Sequence, residues 1–432
     1  MAQLLIEGGS RLVGRVPISG SKNAVLPMLA ACLLTEEECR IKNVPRIEDV
    51  ATMVRLLEGM GVRIRWLDPQ QLQVDAERLA KSDVLAAMAN RMRASFLLMG
   101  PLLARRGEAR VAKPGGDDIG MRRVEQHIVG LRLMGARVEL EDGEYVARAD
   151  RLTGATIHLD MPTVTGTENL MMAAATADGI TTIHNAAREP HVVDLAMFLG
   201  KMGARIQGIG TDVLQIEGVP ELSGATHRVI PDNIETGTYA IAIAATGGEA
   251  VLEDVETADL RALILKLRAA GVEVEERTHS LWVRGGERLQ PVDVTTWPHP
   301  GFPTDLQAPF VSLMTQAHGR CVVSEAVFEN RFQHVPELRK LGADVYVEGR
   351  SAMVTGPSAL HGGSVNVPDI RSGAALVVAA LCAKGTTVLD NIYHLDRGYQ
   401  DIVAKLERLG AHLTRVDGEA EVRPDLSRVV GD

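Results

Sequence analysis

Six times along this chain an apolar helical stripe runs into a glycine and is followed by a few residues that alternate apolar and polar. The stretches are 53–64, 128–140, 195–206, 263–274, 335–347 and 402–413, and their glycines are Gly61, Gly135, Gly203, Gly271, Gly342 and Gly410. Successive glycines stand 74, 68, 68, 71 and 68 residues apart, a period that marks repeated supersecondary units. Glycine there supplies the left-handed residue that closes a helix, and the alternation after it is the pattern of a half-buried strand. The chain therefore reads as an α/β protein of six related helix-and-strand units.

A second helix opens each unit, at 24–34, 94–104, 169–177, 238–246, 306–317 and 373–383, and these segments are apolar on nearly every face, as core helices are. A polar turn precedes each one: Lys22-Asn23, Arg93, Thr165-Gly166, Asp232-Asn233, Asp305 and Arg371. From Lys22, Arg93, Thr165, Asp232, Asp305 and Arg371 to the next glycine is 39, 42, 38, 39, 37 and 39 residues, so the turns hold one equivalent place per unit. Helix N-termini offer free N–H groups and partial positive charge, and six of them facing one space would form an anion site. Asp, Asn and Thr at such positions are also ordinary caps. Lysine and arginine cap poorly, which favours a functional reading for Lys22, Arg93 and Arg371.

The 432 residues and 46% apolar content allow a large core and two or three domains. A net charge of -10 with 3% aromatic residues argues against nucleic-acid binding, so substrate charge must be met by local cations. No run approaches the ~20 apolar residues of a membrane span, and the first residues lead straight into a strand-like segment, so the expectation is a cytoplasmic protein with no membrane partner. Cys32, Cys39, Cys321 and Cys382 are scattered and lack zinc-site spacing. The chain shows neither a Gly-Lys-Ser/Thr phosphate loop nor a Gly-x-Gly-x-x-Gly dinucleotide motif, and no metal or cofactor is expected.

On this frame the strings Gly20-Ser21-Lys22-Asn23-Ala24, Met92-Arg93-Ala94-Ser95, Pro114-Gly115-Gly116, Ala187-Arg188-Glu189-Pro190, Pro231-Asp232-Asn233-Ile234-Glu235-Thr236-Gly237-Thr238, Gly301-Phe302-Pro303-Thr304-Asp305, Phe328-Glu329-Asn330-Arg331-Phe332 and Pro368-Asp369-Ile370-Arg371 closely resemble the enolpyruvyl transferase family, over nearly the whole chain. The resemblance implies an inside-out α/β barrel of two domains, each with three repeated βαβαββ-type units. Residues 22–229, with a mobile lid loop at 113–122, form one domain, and 1–21 plus 230–432 the other, with the active site in the cleft between. It implies transfer of the enolpyruvyl group of phosphoenolpyruvate to UDP-N-acetylglucosamine. The sister reaction on shikimate 3-phosphate and a non-catalytic paralogue that binds nucleotide sugar are the alternatives. The chain would be a monomer or weak homo-oligomer.

Such chemistry sets three tasks. A ligand with a phosphate and a carboxylate needs arginines for bidentate pairing and a lysine as a point charge. The resemblance assigns Lys22, Arg122 and Arg397, with Arg371 in support. Proton transfer needs groups whose protonation suits the operating pH. Asp305 matches the residue that meets the acceptor hydroxyl, with Asp369 as its partner and Lys22 also among the catalytic set. For the nucleotide sugar the resemblance points to Asn23, Arg93, Thr163, Val164, Thr165, Asp305, Val327 and Phe328. His127 and His394 match family positions near the site but read as structural.

The loop 113–120 holds three glycines in eight residues, the backbone freedom of a lid. Most relatives carry cysteine after Pro-Gly-Gly, and here the position is Asp117. An aspartic acid can donate a proton if closure desolvates it, so Asp117 joins the catalytic set. It offers no thiolate, and epoxides of the fosfomycin type are expected to leave the protein active.

Overall fold

Each of the six repeat glycines takes a left-handed conformation, with φ of 98°, 94°, 106°, 83°, 92° and 88° from Gly61 to Gly410. The residue after each one donates its N–H to the carbonyl five positions back: Val62 to Leu57, Ala136 to Leu131, Ala204 to Leu199, Val272 to Leu267, Ala343 to Leu338 and Ala411 to Leu406. That pairing closes the helix in a Schellman turn and sends the chain directly into a strand. The computed structural model describes residues 2–81, 83–84, 92–122 and 124–417.

Six four-stranded sheets result. In the first, the strand Arg63–Asp68 leaves the glycine turn and forms an antiparallel hairpin with Gln71–Asp75. That strand lies antiparallel to Cys39–Lys42, whose other edge takes Thr226–Arg228 in parallel. The last unit finishes its sheet differently. Its central strand Thr386–Asp390 pairs with the N-terminal strand Gln3–Glu7, which also pairs with His412–Val416.

The chain packs as two units. One comprises Met1–Ser19, Asp117–Arg122 and Pro231–Asp432, the other Gly20–Gly116 and Arg123–Ile230. Each contains three sheets and its own apolar core. The loop expected to be a lid is divided: its tip, Asp117–Arg122, groups with the first unit because side chains of that unit grip it, as described below.

The helices apolar on every face lie innermost, as burial of such surfaces requires. In the first unit Asn233–Ala245, Gln307–Met314 and Ile370–Cys382 pack on one another. In the second, Met99–Arg106 packs on Val164–Ala174, and the 3-10 turn Arg93–Leu98 ahead of it packs on Lys22–Ala31. Gly100 permits the closest approach there, since a Cβ would stand 2.4 Å from the carbonyl oxygen of Asn169. The expected helix at 94–104 thus starts as a 3-10 turn, and the one expected at 306–317 is shorter, Gln307–Met314 after a 3-10 turn at Thr304–Leu306.

The repeat turn can be tested where packing does not interfere. No atom lies within 4 Å of a Cβ added at Gly203 or at Gly200, so the two differ only in backbone conformation. Gly203→Ala should cost about 1–2 kcal/mol, the strain of a left-handed residue with a side chain, while Gly200→Ala inside the helix should be neutral or stabilising by about 0.5–1 kcal/mol. Urea unfolding of both variants provides the check, and equal midpoints would remove the glycine turn as the source of the repeat.

Candidate functional site

Asp305 is the middle residue of a 3-10 turn, Thr304–Leu306, at the entry to a core helix, and three guanidinium nitrogens converge on its carboxylate. Nε of Arg371 donates to Oδ2 at 3.0 Å, Nη2 stands 2.8 Å from the same oxygen, and Arg331 donates to Oδ1. Arg371 is the second residue of the helix Ile370–Cys382, and its own backbone N–H is capped by Oδ1 of Asp369 at 2.9 Å. Asp369 caps Ser372 N–H as well, at 3.0 Å, and accepts from the Ser372 hydroxyl through Oδ2. Asp369 therefore anchors the helix start that carries Arg371. Burial works against the charge of Arg371, but Asp305, then Tyr399 and Asp232, outweigh it and hold the guanidinium above its ordinary range.

The loop tip reaches the same cluster. Nη1 of Arg397 donates to Oδ1 of Asp117 at 2.5 Å, and Nδ1 of His394 stands 3.6 Å from that oxygen and 3.4 Å from Arg397. The tip is fastened further along: Asn330 and Gln333 donate side-chain N–H groups to the Asp118 carbonyl, Asn330 N–H bonds Ile119 O at 3.1 Å, and Met121 N–H bonds Oε2 of Glu329 at 3.2 Å. Arg122 lies behind it, half-buried, its guanidinium carbon 5.8 Å from the Phe328 ring. Burial lowers its pKa from the ordinary value, Arg331 and Arg397 push the same way, and Asp117 and Asp305 push back. Among the described residues no carboxylate comes within salt-bridge distance of Arg122.

Val327 and Phe328 are held by a buried carboxylate, as Oε1 of Glu325 accepts both their N–H groups at 2.8 and 3.0 Å. The first unit thus brings together Asp117, Arg122, Asp305, Asp369, Arg371 and Arg397 of the expected set, with Val327 and Phe328 beside them.

In the second unit Lys22 is the first residue of the helix Lys22–Ala31, and its Nζ lies 2.7 Å from Oδ2 of Asp49, with only 11% and 5% of the two side chains exposed. Asn23 follows in the same turn, half-buried. Thr165 meets Nε2 of His127 at 3.2 Å, and Nδ1 of that ring meets Asn169 at 3.1 Å. Burial, and then the charge of Arg93, drives His127 down to about 3, so the ring is neutral at pH 7 and its proton fixes how the Thr165 hydroxyl points. Val164 begins this helix, and the Thr163 hydroxyl caps it by accepting from Gly166 N–H at 3.3 Å.

The six helix starts are not alike. Side chains of Thr163, Asp232 and Asp369 already cap three of them, while the starts at Lys22, Arg93 and Thr304 carry no side-chain cap. The six starts are therefore not equivalent in this respect, because a carboxylate or hydroxyl cap already occupies N–H groups at three of them. Sequence reading also missed Arg331, Tyr399, Glu325, Asp49 and Asn169. Arg331 lies within the Phe328–Phe332 string and Tyr399 two residues beyond Arg397; Glu325 stands out as a carboxylate in an apolar stretch, whereas Asp49, next to Glu48, had no signal of its own. Among the described residues no helix is long and apolar enough to cross a membrane, and no group of three or more His, Cys, Asp or Glu is placed to hold a metal.

Residues 6–406 match the family described as EPSP synthase (3-phosphoshikimate 1-carboxyvinyltransferase). The chain is 48% identical to UDP-N-acetylglucosamine 1-carboxyvinyltransferase of Magnetococcus marinus, over 96% of this chain and all of that one. It is 47% identical to UDP-N-acetylglucosamine 1-carboxyvinyltransferase 1 of Caldanaerobacter subterraneus subsp. tengcongensis, over 96% and 99%. Among solved structures it resembles the enolpyruvyl transferase NikO from Streptomyces tendae, with a TM-score of 0.88 and 28% identity over 96% of this chain and 98% of that one. EPSP synthase from Acinetobacter baumannii shares the fold, with a TM-score of 0.75 and 18% identity over 96% and 100%.

The neutral imidazole of His127 has a consequence for stability. Its pKa is about 3 in the folded chain and about 6.5 unfolded. The unfolded state binds the proton first, so the contribution is complete above pH 6.5 and is lost as pH falls towards 3, at up to about 1.4 kcal/mol per pH unit. His127→Gln should flatten part of the acid decline in urea-unfolding free energy. An unchanged slope would mean that His127 is not buried as a neutral group.

Proposed function

This chain belongs to the EPSP synthase family, and on that premise we propose that it transfers the enolpyruvyl group of phosphoenolpyruvate to the 3-hydroxyl of UDP-N-acetylglucosamine, releasing phosphate. It thereby serves the first committed step of peptidoglycan synthesis in the cytoplasm. The observation that carries the reading is the half-buried Arg122, without a carboxylate partner among the described residues and beside Arg397 and Arg331. A compact ligand with a phosphate and a carboxylate satisfies that excess of guanidinium. Lys22 is assigned to the same ligand as a point charge. Asn23, Arg93, Thr163, Val164, Thr165, Val327 and Phe328 are assigned to the nucleotide sugar.

The sugar oxygen bonds to C2 of phosphoenolpyruvate as its proton passes to a base, and C3 takes up a proton to become a methyl group. C3 then gives up a proton, the bond from C2 to the phosphate oxygen breaks, and inorganic phosphate leaves the enol ether behind. Asp305 is the base on this reading. Both its oxygens are held by arginines, which aim it; it accepts the hydroxyl hydrogen bond and takes the proton as the new bond forms. Asp369 contributes through the helix start that it caps.

Asp117 is the acid for C3, and its contact with Arg397 sets the timing. As arranged, it accepts a hydrogen bond from a guanidinium, which stabilises the carboxylate. The anionic groups of phosphoenolpyruvate compete for Arg397. Once displaced, the carboxylate faces another negative charge and takes up a proton. Binding is thereby coupled to protonation of the group that must deliver it.

Phosphate release with both substrates present tests the reaction. The parent should turn over, whereas Asp305→Ala and Arg397→Ala should each lose on the order of a hundredfold or more in kcat/KM. A parent that releases no phosphate, or that is stabilised against heat by shikimate 3-phosphate and not by UDP-N-acetylglucosamine, would defeat the assignment. Calorimetry in buffers of different ionisation enthalpy should show proton uptake on binding phosphoenolpyruvate, abolished in Asp117→Asn. Equal uptake in both would remove Asp117 as the acid. Treatment with a thiol-alkylating epoxide should leave activity intact, because position 117 carries no thiol.

A further inference from the structure

A chain of hydrogen bonds with a fixed direction stands behind Arg371, on the side away from Asp305. The hydroxyl of Thr238 donates to the carbonyl of Ile234 at 2.8 Å, which uses its single proton. Towards Tyr399, 3.0 Å away, Thr238 can then only accept, so the phenol O–H points at Thr238. The phenol oxygen has its lone pairs left, and Nη1 of Arg371 donates to it at 3.2 Å. All four groups are buried, and Arg371 also lies with its guanidinium carbon 5.6 Å from the Tyr399 ring. Burial holds the phenol above its ordinary pKa against the opposing influence of Arg371, so it stays a neutral donor.

From this geometry we infer that Tyr399, oriented by Thr238, is a positioning residue for the reaction proposed above: it occupies Nη1 of Arg371 and so turns Nε and Nη2 together onto one oxygen of Asp305. A guanidinium is planar, and fixing one nitrogen behind it fixes the edge in front. Without the phenol oxygen Nη1 is a buried donor lacking its partner, and the guanidinium is free to swing in its plane. Asp305 would still bind but would be misaimed, and an error of about 1 Å is enough to slow a positioned reaction strongly.

The inference rests on the assigned reaction, and its test separates the two. Tyr399→Phe should lower kcat about tenfold while leaving KM for both substrates within about twofold, the pattern of an interaction realised in the transition state. Thr238→Val should do the same, and Thr238→Ser, which keeps the hydroxyl, should recover most of the rate. A readout independent of turnover is hydrogen exchange of the Arg371 Nε–H seen by NMR, which should quicken about tenfold in Tyr399→Phe and Thr238→Val but not in Thr238→Ser. Unchanged kcat and unchanged exchange in Tyr399→Phe would overturn the inference. So would a Thr238→Ser variant as impaired as Thr238→Val, since the hydroxyl would then not matter. A parent inactive on both substrates would sink the reaction assignment alone, and the Nε–H exchange would still decide whether Tyr399 holds Arg371.

Discussion

Helices with no polar face have one stable place in water, which is away from it. This requirement organises each unit: core helices such as Asn233–Ala245 and Ile370–Cys382 pack on one another, and the sheets, half-buried by alternation, form around them. A buried helix cannot leave its first N–H groups unpaired, so its entry must be polar. The candidate residues gather at these entries. Asp305, Asp369 and Arg371 stand at such entries in the first unit, and Lys22, Arg93 and Thr165 in the second.

Much of this was legible in the chain because the period is regular. The glycine spacing located the helix ends, and all six glycines adopt the left-handed conformation that the pattern demanded. The apolar segments were recognised as core for the same reason. Their precise starts were not, because a 3-10 turn such as Arg93–Leu98 has no distinct composition. Nor could the sequence distinguish an occupied helix cap from an open one. Asp232 and Asp369 are capping residues by type and by geometry, whereas Thr163 rather than Thr165 turned out to be the cap of its helix.

The candidate residues were legible as types and positions, not as partners. Arg397 and Asp117 are 280 residues apart, and only folding reveals that one donates to the other. The consequence alters what Asp117 can do: a carboxylate paired with arginine is no proton donor until the pair is broken. Asp305 is likewise gripped by arginines, Arg331 on one oxygen and Arg371 on the other.

The sheet of the last unit contains a strand from the beginning of the chain. Gln3–Glu7 lies between Thr386–Asp390 and His412–Val416, so this sheet cannot form until residue 416 has left the ribosome. The unit built from Gly20–Gly116 and Arg123–Ile230 has no such debt to late sequence and can assemble while synthesis continues. During that interval the N-terminal strand is made but unpaired, its edges open to other chains. Biosynthesis is thus ordered by topology: the unit holding Lys22 is complete first, and the arginine cluster forms last.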